Sequence, residues 1–201
     1  MDLPSHAKSE KMPELSMDLY VDVVKTLILS LNLKDIILCG HSLGGAIAQS
    51  YFFKYPENLQ ALVLVSTGAR LRVSSLIFEA LKKNLNEYID SIPVGAFYRK
   101  TNRNIIEKLI QEVKKTDSTV IYDDFRICDT FDTLERTNSI KVPVLILVGK
   151  QDKLTPVKYS QFFHEQIVHS QLRIIEKAGH QVMIERPGEF NEALEKFLNQ
   201  L

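Results

Sequence analysis

One short glycine-rich segment constrains the fold of this chain more than any other. Residues 40–44 read Gly-His-Ser-Leu-Gly, and they lie between an apolar run at 36–39 and a helix-like segment at 46–53. A strand that passes into a helix through Gly-x-Ser-x-Gly forces the serine into a sharp, strained turn that only small neighbours permit. The pattern therefore predicts a strand, a tight turn and a helix, with the Ser42 hydroxyl exposed in the turn.

An exposed serine of this kind needs two partners before it can react. A hydroxyl is a poor nucleophile at neutral pH and requires a histidine base, which a carboxylate holds in the right tautomer. Asp152 follows the apolar run 142–148, and His180 follows the run 172–175. Near-continuous apolar runs are typical of parallel strands buried on both faces. The turn at Ser42 resembles that of the α/β-hydrolases, in which an acid and then a histidine follow the serine, each on a loop just after a strand. This resemblance implies Ser42 as nucleophile, Asp152 as orienting acid and His180 as base.

Other carboxylates and histidines compete for these roles. Asp152 could be an ordinary turn aspartate, because aspartate is common in polar connections. His41, inside the turn, is predicted to line the site and contact substrate rather than to react. The rival carboxylates are Asp123, Asp124 and Asp132. The rival histidines, His164 and His169, fall within or just after a helix-like segment and are predicted to lie on the surface.

Composition excludes several classes of function. The 201 residues carry 25 basic and 25 acidic side chains, so no net field favours nucleic acid or an anionic membrane as a partner. Two distant cysteines, Cys39 and Cys128, indicate neither a disulfide framework nor a metal site. No apolar stretch has transmembrane length, and residues 1–4 lack the basic and apolar regions of a signal peptide, so we expect a cytoplasmic protein.

The order of predicted elements is that of an α/β protein. Strands alternate with helices at both ends of the chain, which implies a parallel sheet with right-handed crossovers. From 71 to 139 no strand-like run occurs, and this stretch is predicted to be a helical insertion. It could cover the site, or it could be a second lobe without a role in binding. The expected strands begin at 36, 61, 142 and 172, and the expected helices span 16–31, 45–55, 76–89, 105–113, 119–129, 156–167 and 187–198.

These segments together resemble the lid-bearing α/β-hydrolases over nearly the whole chain. The resemblance rests on the turn at 40–44, Asp152 with Thr155 and Pro156, the Ala-Gly-His at 178–180 and the Glu-Arg-Pro at 185–187. It implies a mainly parallel sheet flanked by helices, with residues 1–70 and 140–201 as core and 71–139 as a helical lid.

The resemblance also implies an activity. It indicates a serine hydrolase of the carboxylesterase type, acting on small esters or lactones through an acyl-enzyme, without a cofactor or metal. The Leu43 backbone N–H would stabilise the oxyanion. Carbon-carbon bond hydrolases share these residues, so the bond cleaved stays open. A catalytically weak binding protein or folding scaffold is the alternative from another class.

The start of the chain departs from the family pattern. Residues 2–9 are similar to the segment Asp-Leu-Pro-Gly-His-Gly-x-Ser that ordinarily follows the family's fourth strand, with Ser5 and Ala7 in place of glycines. The resemblance therefore implies a truncated core that lacks the N-terminal strands and the second oxyanion donor, and a turn that is lost or altered at Ser5 and Ala7. The strand at 36 would then be an edge, which predicts a homodimer through that edge.

Overall fold

Four parallel strands form the centre of the computed structural model, which describes residues 1–201. Every neighbouring pair is parallel, and the strands lie side by side in chain order, so the first strand is an edge as predicted. The strands are β1 (Ile36–His41), β2 (Leu59–Val65), β3 (Val144–Gly149) and β4 (Ser170–Ile175).

Helices cover both faces of this sheet, which confirms the predicted fold class. In chain order they are α1 (Met17–Ser30), α2 (Leu43–Lys54), α3 (Ser75–Lys83), α4 (Leu85–Gly95), α5 (Arg103–Val113), α6 (Ser118–Thr130), α7 (Val157–Gln166), α8 (Val182–Glu185) and α9 (Pro187–Leu198), with a 3₁₀ helix at Leu134–Ser139. None of these helices has the length and apolar composition needed to cross a membrane.

The sheet core divides into two layers because alternate strand residues point to opposite faces. Leu62 and Ile146 belong to the larger apolar cluster, which takes in residues of α1, α2 and α7. Val63 and Leu147 belong to a second cluster that includes Phe197 of α9. All four strand residues are at most 1% exposed. Burying an aliphatic side chain of this size stabilises a fold by about 1.5–3 kcal/mol, so both helical layers are held firmly on the sheet.

One predicted helix is two helices in the structure. The apolar pattern over 76–89 suggested a single element, but α3 ends and α4 begins at Asn84, whose backbone is extended (φ −172°, ψ 156°). The Asn84 side chain accepts a hydrogen bond from the Glu87 N–H at 3.0 Å and so caps α4. A capping side chain of this type outcompetes the continuous helix that the apolar spacing alone predicts.

The residues just before α3 and just after α6 lie next to each other beside the sheet. Arg70 and Asp132 form an isolated antiparallel bridge, and the Arg70 Nε donates to the Asp132 carboxylate at 2.6 Å. Beside this bridge the Thr133 N–H donates to the Ala69 carbonyl. The two ends of the insertion are therefore joined, and α3 to α6 project from a closed base.

The N-terminal turn forms despite its missing glycines. Ser5 (φ 65°) and Ala7 (φ 45°) both adopt a left-handed conformation, which glycine adopts more easily than residues with a side chain. The Ser5 N–H donates to the Glu10 carbonyl, and the Ser5 Oγ accepts from the Met12 N–H, both at 2.9 Å. These bonds hold the strained backbone, so of the two alternatives a turn is made, with side chains in place of the glycines.

Candidate active site

The turn between β1 and α2 places Ser42 in a strained backbone conformation. Its dihedral angles are φ 52° and ψ −116°, which L residues rarely adopt. Two contacts with the end of β2 and the residues after it hold this turn. The Ser42 N–H donates to the Val65 carbonyl at 2.9 Å, and the Thr67 hydroxyl donates to the Ser42 carbonyl at 2.8 Å.

Close packing explains why glycines flank this serine. A Cβ atom on Gly40 would lie 2.1 Å from the Gly44 carbonyl oxygen, and one on Gly45 would lie 2.5 Å from Cγ2 of Thr67. Both distances are far below van der Waals contact. The strand and the helix can therefore approach each other at Ser42 only because these two positions carry no side chain.

The Leu43 N–H is the first backbone donor of α2. The first N–H groups of a helix have no acceptor within the helix. The Gly45 and Ala46 N–H groups both donate to the Ser42 carbonyl, whereas the Leu43 N–H donates to no acceptor in the protein. The positive end of the helix dipole also favours an anion at this position.

Asp152 and His180 form a buried hydrogen-bonded pair on the loops after β3 and β4. The His180 Nδ1 lies 2.9 Å from the Asp152 Oδ2, and the two residues are 4% and 5% exposed. The carboxylate also accepts from the Leu154 and Thr155 N–H groups at 2.9 Å and from the Thr155 hydroxyl at 2.8 Å. These bonds fix the position of the carboxylate. Because an ionised carboxylate only accepts hydrogen bonds, the His180 ring must carry a proton on Nδ1 to bind it.

The environment keeps Asp152 ionised. Burial acts to raise the pKa of Asp152, but the His180 hydrogen bond, the His180 charge and the Thr155 hydrogen bonds together bring it below its ordinary value. An ionised carboxylate at this position would stabilise a positive charge that develops on the His180 ring.

The reactive atoms of Ser42 and His180 remain without protein partners. The His180 ring bonds Asp152 and Thr155 through Nδ1, and no hydrogen bond joins its Nε2 to the Ser42 hydroxyl in this structure. Neither atom is among the fully buried polar atoms that lack a partner, so each retains some exposure to solvent. Catalytic hydrogen bonds of this kind often tighten only when substrate is bound.

His41 contacts the His180 loop instead of the space in front of Ser42. Its Nε2 donates to the His180 carbonyl at 2.9 Å, and the two ring centroids are 4.6 Å apart. Burial and the nearby His180 ring lower the pKa of His41 to about 3, so the His41 ring is neutral at neutral pH. The substrate contact predicted for His41 is untested, and the structure gives the side chain a neighbour that the sequence did not suggest.

The competing carboxylates and histidines lie in other pairs. Asp124 accepts from the Tyr20 hydroxyl at 2.6 Å and bonds the His6 ring at 2.8 Å, which raises the pKa of His6. Asp132 pairs with Arg70 as described above. The remaining pairs join Asp123 to Arg126 at 3.3 Å and His164 to Ser170 at 2.9 Å, and His169 is exposed. None of these groups contacts Asp152 or His180.

A cavity of about 160 Å³ opens beside Ser42. Its wall comes from the start of the insertion, from α6 and from the loop that follows Asp152. The lining residues, six of them hydrophobic, are Ser42, Leu71, Arg72, Val73, Ser74, Ile77, Phe125, Cys128, Lys153, Leu154 and Thr155. A small, mainly apolar group attached to a carbonyl at Ser42 would fit this space. No His, Cys, Asp and Glu side chains are grouped as a metal site.

Comparison with known proteins gives the family. The profile of the serine aminopeptidase S33 family matches residues 5–187. The chain therefore belongs to this family of α/β-hydrolases. A solved thermophilic esterase is 42% identical, with a TM-score of 0.88 over 99% of this chain and 79% of that one.

Two curated relatives carry different names. A proline iminopeptidase of Saccharolobus solfataricus is 30% identical over 83% of this chain, and a 3-oxoadipate enol-lactonase of Acinetobacter baylyi is 26% identical over 85%. The chain spans 63% and 66% of the lengths of these two proteins. A hydrolase of the α/β type is thus shown, and the bond it cleaves is not specified by these names.

The close approach at the turn gives a matched pair of variants. We expect Gly45→Ala to lower the free energy of unfolding by about 1–3 kcal/mol, because the new methyl group overlaps Thr67. Gly44 has no atom within 4 Å of an added Cβ, so Gly44→Ala should be neutral or should stabilise the helix by up to about 1 kcal/mol. Urea unfolding followed by circular dichroism measures both. Equal effects of the two substitutions would contradict this packing.

Proposed function

We propose that this member of the serine aminopeptidase S33 family is a serine hydrolase that cleaves small carboxylic esters or lactones through an acyl-enzyme. The observation that carries the proposal is a strained serine whose turn contacts the loop of a buried acid–histidine pair. Ser42 lines the cavity, and the N–H of the next residue has no acceptor in the protein. His41, beside Ser42, binds the carbonyl of His180, whose ring is held by Asp152. The 42% identity to an esterase supports ester chemistry.

The reaction begins with attack by the Ser42 Oγ on the substrate carbonyl carbon. Its proton passes to the His180 Nε2, while Asp152 stabilises the imidazolium that forms. The carbonyl oxygen becomes an oxyanion at the Leu43 N–H, and one donor of this kind contributes about a hundred- to a thousandfold in turnover. The tetrahedral intermediate then collapses, and the His180 Nε2–H protonates the leaving alkoxide.

In the second half of the reaction, a water molecule replaces the Ser42 hydroxyl as the nucleophile. The acyl group is bound to Ser42 as an ester, and His180 takes a proton from a water molecule that attacks the acyl carbonyl. Collapse of the second oxyanion releases the carboxylic acid and returns the proton to the Ser42 Oγ. In a lactone the leaving alkoxide belongs to the same molecule as the acyl group, so the product is a single hydroxy acid.

Variants of the three residues test this proposal. With p-nitrophenyl acetate and butyrate, Ser42→Ala should lower kcat by about 10⁶-fold, and any residual rate would come from binding and the Leu43 N–H. Asp152→Asn should lower kcat by about 10⁴-fold, because the amide favours the wrong tautomer of His180. Asp132→Asn, which changes a carboxylate at the base of the insertion, is the control and should retain activity. Hydrolysis that is unchanged in Ser42→Ala would contradict the proposal, and an inactive parent would favour a binding protein.

We further propose that residues 71–139 act as a lid over the acyl group. Apolar cavities of about 150 Å³ hold a ring of six carbon atoms in another protein, so a cavity of about 160 Å³ supports short acyl chains. The apolar lining from α3 and α6, notably Ile77 and Phe125, would surround such a chain.

The limited size of the cavity predicts that kcat/KM is highest at an intermediate length of the substrate's acyl chain. We expect kcat/KM for p-nitrophenyl esters to rise from the acetyl ester to about a six-carbon acyl group, with a gain of up to about 0.8 kcal/mol per buried methylene. Longer chains should then be poorer substrates. Phe125→Ala should move the maximum to longer chains, and Ile110→Ala, an insertion residue outside the cavity, should not. A flat profile in the parent would show that the insertion does not shape the acyl site.

The open edge of the sheet supports a proposal of homodimerisation. β1 has a strand on one side only, Cys39 within it is exposed, and Leu29, Leu31 and Leu33 before it are 46–65% exposed. An unpaired strand edge beside apolar surface is a template for a second chain.

Light scattering across micromolar concentrations tests this edge. We expect a dimer that Cys39→Lys weakens, because a charge would have to be buried in the interface. Val168→Lys is the control, since Val168 is an exposed apolar residue just before the opposite edge strand, β4. A monomer at all concentrations, or equal effects of the two substitutions, would contradict dimerisation through β1.

A further inference from the structure

Glu185, which the catalytic steps above do not use, has an unusual set of partners. Its carboxylate accepts hydrogen bonds from the Gly179 N–H at 2.7 Å, from the Tyr98 N–H at 2.8 Å and from the Thr101 hydroxyl. No lysine, arginine or histidine nitrogen lies within 4.0 Å of it. Three neutral donors therefore converge on one half-buried carboxylate, and hydrogen bonds to a charged acceptor are stronger than those between neutral groups.

These donors come from two segments that are far apart in the sequence. Gly179 immediately precedes His180, whereas Tyr98 and Thr101 follow α4 in the insertion. One Glu185 oxygen binds the first segment and the other oxygen binds the second. The side chain thus joins the His180 loop to the insertion.

Backbone contacts bring the same two segments into close packing. The His180 and Gln181 N–H groups both donate to the Ala96 carbonyl, at 3.0 and 3.3 Å. A Cβ atom on Gly179 would lie 2.7 Å from the carbonyl carbon of Phe97. The His180 loop therefore lies directly against residues 96–98, and a displacement of one segment would displace the other.

We infer that Glu185 is a positioning residue that sets the orientation of the His180 ring by joining its loop to residues 96–101. This inference rests on the proposed function for its catalytic consequence. Glu185 contacts neither the reacting atoms nor the cavity beside Ser42. Its loss should therefore affect kcat and leave KM nearly unchanged. A displacement of a catalytic group by about 1 Å can cost about a hundredfold in rate.

Glutamine is the sharpest replacement because it keeps the size of the side chain. A carboxylate offers acceptors at both oxygens, whereas an amide offers an acceptor on one side and two donors on the other. In either orientation one backbone N–H, of Gly179 or of Tyr98, would face an NH₂ group. Glu189→Gln is the matched control, since Glu189 lies on α9 and pairs only with Arg186 at the surface.

The experiment combines two readouts on the full chain. The first is the far-downfield proton NMR signal of the Nδ1–H that His180 donates to Asp152, which reports the ring position without turnover. The second is kcat and KM for p-nitrophenyl butyrate. We expect Glu185→Gln to shift or broaden the signal and to lower kcat by about ten- to a hundredfold, with KM within about twofold of the parent. Glu189→Gln should change neither readout.

Thr101→Val extends the test if Glu185→Gln does not fold. It removes one of the three donors and should produce a smaller change of the same kind in the NMR signal. An unchanged Nδ1–H signal in the folded variants would overturn the inference, and so would a changed signal with unchanged kcat in an active parent. If the parent lacks esterase activity while Glu185→Gln still alters the signal, the positioning role holds and the proposed function fails.

Discussion

The site depends first on the strained backbone at Ser42. A left-handed φ on a residue with a side chain costs about 1–3 kcal/mol, and it persists only where the surroundings determine it. Here the surroundings are the ends of two neighbouring parallel strands. The Val65 carbonyl accepts from the Ser42 N–H, and the Thr67 hydroxyl donates to the Ser42 carbonyl. Gly40 and Gly45 allow the helix to lie against the strand. The sheet core thus supports a conformation that the turn would not adopt alone.

His180 is held in a different way, through contacts with several separate elements. Asp152 binds its ring from the loop after β3, His41 binds its carbonyl from the end of β1, and the Ala96 carbonyl accepts its N–H from the insertion. Glu185 adds a carboxylate that joins the neighbouring Gly179 to the insertion. Residues of the insertion therefore line the cavity and also support the loop that carries the histidine.

Most of the fold could be predicted from local signals in the sequence. Strands β1 to β4 have apolar runs, and the three candidate residues each follow such a run, which is why the sequence could single out Ser42, Asp152 and His180. The α/β class and the edge position of β1 are confirmed. The catalytic roles of the three residues stay predictions, although their placement agrees with those roles.

Most of the structural features that the sequence analysis did not predict depend on contacts between residues far apart in the sequence. The left-handed turn at Ser5 and Ala7 is stabilised by hydrogen bonds that a glycine-based pattern does not anticipate. The hydrogen bond of His41 spans 139 residues, and the bond from Tyr98 to Glu185 spans 87, so neither leaves a periodic trace in the sequence. The break at Asn84 was missed for the opposite reason, since a local cap ended a helix whose apolar spacing continued.

Covalent labelling of Ser42 tests the central claim most directly. A fluorophosphonate reacts readily with a serine whose hydroxyl is activated by an adjacent base, and it leaves an adduct that peptide mass spectrometry can locate. The account predicts one adduct per chain, on the peptide that contains Ser42, and its loss in a folded His180→Ala variant. Labelling at another serine, or equal labelling of Ser42 in the His180→Ala variant, would contradict the account.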